Sequence, residues 1–455
     1  MDRLRFPLRG EKVKADPVMV ELVRNSLIAA TEEMKSVLMR TSYNMIIYEA
    51  LDFTVGLFDR KGDTLSIGLG LPMFIRGMAD TVKAKIAHWG YDGIHPKDIL
   101  LTNDAYTTGA HLNHLTFSIP IFHKGGIVAF STCMAHWQDI GGILNGMTYD
   151  IYSEGLQIPH LKYHARGKLN VDAREFIKMN VRRPDRAMGD LEAQLSACRV
   201  GVKHMEELIA RHGCDSMLAS IAEIMNRSEA EARLQVGAIP DGVYEAQAQM
   251  DDDGVDVGRP VPIRVKVTVK GSGMCVDLSG VSPQVKGFYN SNAGVACAQV
   301  AFKCLALPRD YPINDGGFRP LQVIVPPGTV VSALHPTRLI EASVELVSYD
   351  LDIAILRLRK LPPQLSLEVV RKDLVPFKMC LDSCQFIQRT GDEGDASLSK
   401  QQDVACGFRR MQNVYAIGFP LGVDRSQVTQ GTVSGCEEIS DELVIQMTAP
   451  INPGS

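Results

Sequence analysis

Apolar positions recur at helical spacing near the start of the chain. Val18, Leu22, Leu27, Ile28 and Met34 predict a helix to about Met39, with Asp16 as its cap and Pro17 at its first position. A strand is predicted over 53–58, then a turn at Asp59-Arg60-Lys61-Gly62-Asp63, then a helix over 77–88. Residues 99–102 read as a strand that ends in a loop, 103–113. Two apolar runs follow at 115–122 and 127–134, and Lys124-Gly125-Gly126 between them reads as a hairpin turn. Residues 183–235 are helical, with Gly213 as a break. Strand character returns at 242–250, 261–269 and 274–278. A helix at 293–305, a strand at 321–325 and a turn at Pro326-Pro327-Gly328 close this part. After about His335-Pro336 the texture changes to short β-like runs at 343–347, 353–358, 414–417 and 443–446. Residues 388–405 read as a long polar surface loop, and no internal repeat is evident.

Composition narrows the class. A chain of 455 residues suggests two or three domains, and 45% apolar with 22% charged residues excludes bulk disorder. The net charge is −5 and no basic stripe occurs, which argues against a nucleic-acid partner. No apolar run approaches the ~20 residues that cross a bilayer, so no membrane association is expected. The first residues lack the pattern of a secretory signal. Ten cysteines from Cys133 to Cys436 include no Cys-x-x-Cys pair, and the closest are Cys380 and Cys384. They are expected to be buried and reduced, in a cytoplasmic protein.

Histidine marks the candidate chemistry. There are 11 in the chain, yet His111, His114, His123 and His136 share one short stretch. If 115–122 and 127–134 pair as a hairpin, its open ends bring 111/114 and 136 to one rim. A rim of imidazoles with a carboxylate is how a mononuclear divalent-metal site is assembled. Asp52 could supply the carboxylate, with Asp104 and Asp139 as local alternatives. The same spacing also suits satisfied core histidines, and Asp139 before Gly141-Gly142 also suits a turn. His123, at the hairpin turn, is expected to face solvent. No phosphate-binding loop ending in Gly-Lys-Ser/Thr and no Gly-x-Ser-x-Gly elbow occurs.

Residues 16–336 resemble the hydantoinase B/5-oxoprolinase family. The resemblance rests on ordered blocks: Asp16-Pro17 with Glu21 and Asn25; Asp52-Phe53 with Phe58-Asp59; Asn103-Asp104-Ala105-Tyr106 and Gly109-Ala110-His111-Leu112. It continues with Ala135-His136, Asp139-Ile140-Gly141-Gly142, Glu154 to Pro159, Gly189 to Gln194, and Asn314 to Pro320. It implies an α+β module of helices and antiparallel sheets. It also implies the B-type subunit of an ATP-dependent enzyme that opens cyclic amides such as hydantoins, 5-oxoproline or lactams. A hydantoinase-A-like ATP-binding subunit would activate the substrate, in a hetero-oligomer, and this absence of a phosphate loop suits that division. A subunit of an acetone- or acetophenone-type ketone carboxylase is the alternative, and a non-catalytic chimeric remnant is a third.

Carried over by resemblance, the metal ligands would be Asp52, His111, His114 and His136, holding Zn, Mn or Fe. Asp139 or Asp104 would act as general base or orient a histidine. Many relatives carry Asp where this chain has His114, which removes a negative charge and shifts preference toward softer or borderline ions. Phe74 stands where a histidine is frequent, so any role of that histidine is lost.

Residues from about 338 instead resemble part of a Deg-type trypsin-fold serine protease. The blocks are Asp350 to Leu356, Val414 to Gly422, Val428 to Gly435, and Ala449 to Ser455. Asp352 would be a vestigial triad aspartate. No matching histidine block precedes it, and Ser455 aligns to the residue before the nucleophile, so protease activity is not expected. The expected organisation is thus a C-terminally truncated hydantoinase-B-like module at 1–336 and a β-rich partial trypsin-like barrel at 337–455. Such a chimera would leave open sheet edges.

Overall fold

Asp16 caps α1 (Pro17–Thr41), its carboxylate accepting the Met19 N–H at 3.3 Å. The structure, a computed structural model, describes residues 15–339 apart from 144–147, 149, 288, 309–310 and 338, together with the backbone of three later strands. Asn44 caps the single turn α2 (Met45–Tyr48), and then β1 (Phe53–Asp59) and β2 (Thr64–Leu69) pair antiparallel. Next come α3 (Gly77–Gly93), β3 (Ile99–Thr102), the single turn α4 (Ala105–Thr108), β4 (His114–His123) and β5 (Gly126–His136). The expected 103–113 loop therefore contains one helical turn.

The β4–β5 hairpin forms as its sequence predicts. Lys124 and Gly125 both have positive φ, 47° and 85°, which is the backbone of a tight two-residue hairpin turn. The short α5 (Ile151–Glu154), β6 (Leu161–Ala165), β7 (Lys168–Leu169) and α6 (Val171–Met179) follow. The long α7 (Pro184–His212) and α8 (Cys214–Gly237) meet at Gly213, the expected break.

Seven strands make one antiparallel sheet in the order β2-β1-β5-β4-β3-β6-β7. Its two faces are both covered. Val55, Leu57, Leu115, Phe117 and Cys133 belong to the core shared with Leu27 and Met34 of α1 and Leu191 and Leu195 of α7. Phe58, Phe130 and Met134 belong to a second core with Met78 and Val82 of α3. Burial on both faces explains why β4 and β5 are largely apolar at successive positions, with even Thr116, Ser118, Ser131 and Thr132 buried among them. Close approach is needed on one side: a Cβ at Gly201 of α7 would lie 2.3 Å from Ser131 Oγ and 2.6 Å from Met34 Sδ.

β2 was not predicted, because Thr64 and Ser66 interrupt its apolar pattern. Both are buried, and Ser66 Oγ pairs with Thr31 Oγ1 of α1 at 3.0 Å, so the Ser66 hydroxyl is satisfied inside.

A second sheet holds β8 (Gly242–Met250), β9 (Val261–Lys270) and β10 (Gly273–Asp277) in antiparallel pairs. After α9 (Gly294–Ala306), β11 (Leu321–Ile324) joins β10 in parallel. Phe302 and Leu305 of α9 pack in one core with Val269 and Met274 of this sheet.

The chain divides into two compact units, Met1–Arg359 and Lys360–Ser455. In the second, β12 (Asn413–Gly418), β13 (Gln427–Ile439) and β14 (Glu442–Met447) form one antiparallel sheet. The described residues show this sheet and not a trypsin-like barrel. Asp352, the runs at 343–347 and 353–358 and the loop at 388–405 lie outside the described residues.

Among the described residues no helix is long and apolar enough to cross a membrane. Cys133, Cys198 and Cys214 are buried as expected, but Cys304 is exposed.

Candidate functional site

Strand register decides which side chains meet. In the β4–β5 hairpin His114 stands opposite His136 at the open end. β1 runs antiparallel to β5 with Phe53 opposite Ala135, so Asp52 arrives beside His136. The His136 N–H donates to the Asp52 carbonyl at 3.1 Å. His111 comes from the turn before β4. Asp104 caps α4, Gly109 ends it with φ 74°, and the His114 N–H donates back to the His111 carbonyl at 3.1 Å.

The three imidazoles form a triangle. Ring centroids lie 4.6 Å apart for His111 and His114, 4.9 Å for His111 and His136, and 5.1 Å for His114 and His136. Asp52 Oδ1 accepts from His114 Nε2 at 2.9 Å. Phe74 packs its ring on His114, with centroids 5.0 Å apart.

Burial keeps the deepest rings neutral. Desolvation pushes His114 down to about 3, against a raising hydrogen bond with the His111 backbone. His136 is held well below the ordinary range, first by burial and then by the neighbouring His111. Neutral imidazoles are the form that ligates a metal.

Polar residues around the triangle aim its members. Asn113 Oδ1 and His111 Nδ1 lie 3.1 Å apart, and an amide oxygen there accepts Nδ1–H and leaves the lone pair on Nε2. Glu154 Oε1 accepts the Leu112 N–H at 2.6 Å and lies 3.7 Å from His111 Nδ1. Asn44 Nδ2 donates to the His136 carbonyl at 2.8 Å, and Asp190 of α7 holds the Tyr43 and Asn44 N–H groups. Trp137, beside His136, donates from Nε1 to Gln194 at 2.8 Å, while Gln194 Nε2 donates to the Leu115 carbonyl at 2.9 Å. Glu154 is itself set by backbone contact, since a Cβ at Gly142 would lie 1.9 Å from the Glu154 carbonyl.

Sequence reasoning missed Asn113, Glu154, Asn44 and Gln194 as site residues. Glu154 and Gln194 lay within blocks that carried the resemblance. A buried polar side chain inside an apolar stretch was the available signal.

The two other carboxylates are placed differently. Asp139 accepts the Gly141 N–H at 2.9 Å, the Arg182 backbone N–H, and Arg182 Nη1 at 2.8 Å. Burial pushes its carboxyl up, but these donors outweigh that and hold it below the usual range. Asp104 lines a cavity of about 770 Å³. Phe74 is the wall this cavity shares with the triangle, and Gly109 lines it two residues before His111. His123 sits at the far end of the hairpin, opposite Gly126.

The donor chemistry suits a borderline divalent ion, with three imidazoles and one carboxylate. His136 Nδ1 is buried with no hydrogen-bond partner among the described residues, as a nitrogen reserved for an ion would be. The positions are those of a hydrogen-bonded cluster. Among the described residues no group of three or more His, Cys, Asp or Glu side chains is set as a metal cage.

Comparison with known proteins assigns the fold. The family model for hydantoinase B/oxoprolinase matches residues 16–367. The chain belongs to this family. The caprolactamase subunit beta of Pseudomonas jessenii is 31% identical over 327 residues, which cover 70% of this chain and 56% of that protein. The 5-oxoprolinase of Dictyostelium discoideum is 26% identical over 72% of this chain. The crystal structure of ATP-dependent caprolactamase from Pseudomonas jessenii superposes with a TM-score of 0.71 at 29% identity, covering 76% of this chain and 61% of that one. A nucleotide-free acetone carboxylase shares the fold at a TM-score of 0.63 and 18% identity. The chain thus spans a little under six-tenths of the length of the first curated relatives it matches.

Proposed function

We propose that this chain is the B-type component of an ATP-dependent cyclic-amide hydrolase. The observation that carries this is the imidazole triangle with Asp52, walled by Phe74 from a cavity large enough for a small ring amide. Family membership and the caprolactamase likeness support the substrate class.

Asp52, His111, His114 and His136 would hold a divalent metal. When bound, such an ion supplies Lewis-acid polarisation of a carbonyl or acidification of a water. Asp52 holds His114 by its Nε2 side. Asn113 and Glu154 hold His111 by its Nδ1 side. Phe74 keeps water off the inner face of His114. Asp104, on the cavity wall, is the better placed of the two proposed general bases, since Asp139 does not line this cavity. ATP use belongs, in this reading, to a hydantoinase-A-like partner in a hetero-oligomer.

A ketone carboxylase is the second reading, and it rests on shared fold alone. For 337–455 the partial trypsin-like reading rests on the quoted blocks, and it assigns no activity.

The test is elemental analysis of the purified full chain and of His111→Ala, then ring-opening assays with an ATP-using A-type partner. The expected result is about one ion per chain, lost in the variant, with ATP-dependent opening of a lactam or hydantoin. A folded chain with no ion and no ring opening overturns the reading and leaves a binding role. ATP turnover that requires bicarbonate favours the carboxylase.

A further inference from the structure

We infer that the cavity beside the triangle selects uncharged cyclic amides and rejects ring amides that carry a carboxylate. This rests on the reading of that cavity as the substrate site. The charges on its wall decide the matter. Arg76 is the one Lys or Arg among the described residues that line it. That cation is already matched: Arg76 Nε and Nη2 donate to the two Asp80 carboxylate oxygens at 2.9 and 3.0 Å. A bidentate pair of this kind leaves little charge for a substrate carboxylate.

Asp104 is a second wall carboxylate, and among the described residues no lining Lys or Arg matches it. It cannot swing away cheaply. Its oxygens accept the Tyr106 N–H at 3.1 Å and the Thr107 hydroxyl at 2.6 Å, which cap α4. The summed charge of Arg76, Asp80 and Asp104 is therefore one negative. A carboxylate on the ring would meet like charge on this wall.

The remaining lining suits the rest of such a substrate. Met73, Phe74, Val295 and Leu334 offer apolar surface for ring methylenes. Asn292 and Ser332 offer neutral donors and acceptors for the ring amide. Rejection of one charge class by an unmatched wall carboxylate is specificity by repulsion.

The test compares two probes that share one ring, 2-pyrrolidinone and its 5-carboxylate, 5-oxoproline. Binding to the full chain is followed by ligand-observed NMR near pH 8. The expected result is that 2-pyrrolidinone binds about tenfold more tightly or better. Asp104→Asn keeps an N-cap residue on α4 and is expected to narrow the gap by about tenfold. Equal or tighter binding of 5-oxoproline by the unaltered chain overturns the charge selection while leaving the cyclic-amide reading intact. A gap unchanged in Asp104→Asn overturns the role of Asp104. Binding of neither probe to a folded chain overturns the cavity as the substrate site, and the selection with it.

Discussion

Asp52 Oδ1 and His114 Nε2 lie 2.9 Å apart although 62 residues separate them in the chain. The contact is buried and joins the residue before β1 to the first residue of β4. Asp52→Ala removes the acceptor and leaves the imidazole N–H without its carboxylate. The expected loss is about 1–3 kcal/mol in urea unfolding, with a native far-ultraviolet spectrum. An unchanged midpoint would show that the pair is not structural.

Gln194 bridges Trp137 and Leu115 from α7, and so ties the helix layer to the wall of the triangle. Gln194→Leu keeps the bulk and leaves a buried donor and a buried acceptor unmet. Each is expected to cost about 1–3 kcal/mol. Trp137 is one of two tryptophans, so its fluorescence reports the change directly. Unaltered emission and stability would contradict the bridging role.

Gly142 allows the chain to press on Glu154. Gly142→Ala is expected to displace that carbonyl and to destabilise by about 1–3 kcal/mol. Gly237, where nothing lies within 4 Å of an added Cβ, is the control. Gly237→Ala should be neutral or slightly stabilising in the same thermal melt.

Lys85 of α3 is wholly buried and donates to the Thr116 carbonyl at 2.8 Å and to Ser118 Oγ at 2.9 Å. Burial pushes its ammonium down to about 7 from 10.5. Between those values the unfolded chain holds a proton that the folded chain has released. Stability therefore rises with pH across that window and gains nothing from this group below about 7. Lys85→Met should flatten the rise and raise the melting point near pH 6, where the ammonium is otherwise buried charged. An identical slope in the variant would place the pH dependence elsewhere.

Much of the triangle was legible beforehand. Two apolar runs around Lys124-Gly125-Gly126 specify a hairpin, and a hairpin must bring its open ends together. The site's aiming residues were not legible. Asn113 and Glu154 meet His111 through a turn and through the packing of Gly142 on the 154–155 backbone. The cavity was hidden for the same reason: its wall is drawn from 73–80, 104–109, 292–296 and 332–335.

By itself, the amino-acid sequence determined the α+β elements, the hairpin, the family and the three carboxylates eligible for the site. Only the tertiary structure decided that Asp52 joins the imidazoles, while Asp104 lines the cavity and Asp139 holds Arg182. Apolar periodicity is local, and each element carries it within its own residues. The neighbour of β5 is chosen by burying two sheet faces at once, under helices that begin at Pro17 and Pro184. That choice sets the register with β1, and the register delivers Asp52.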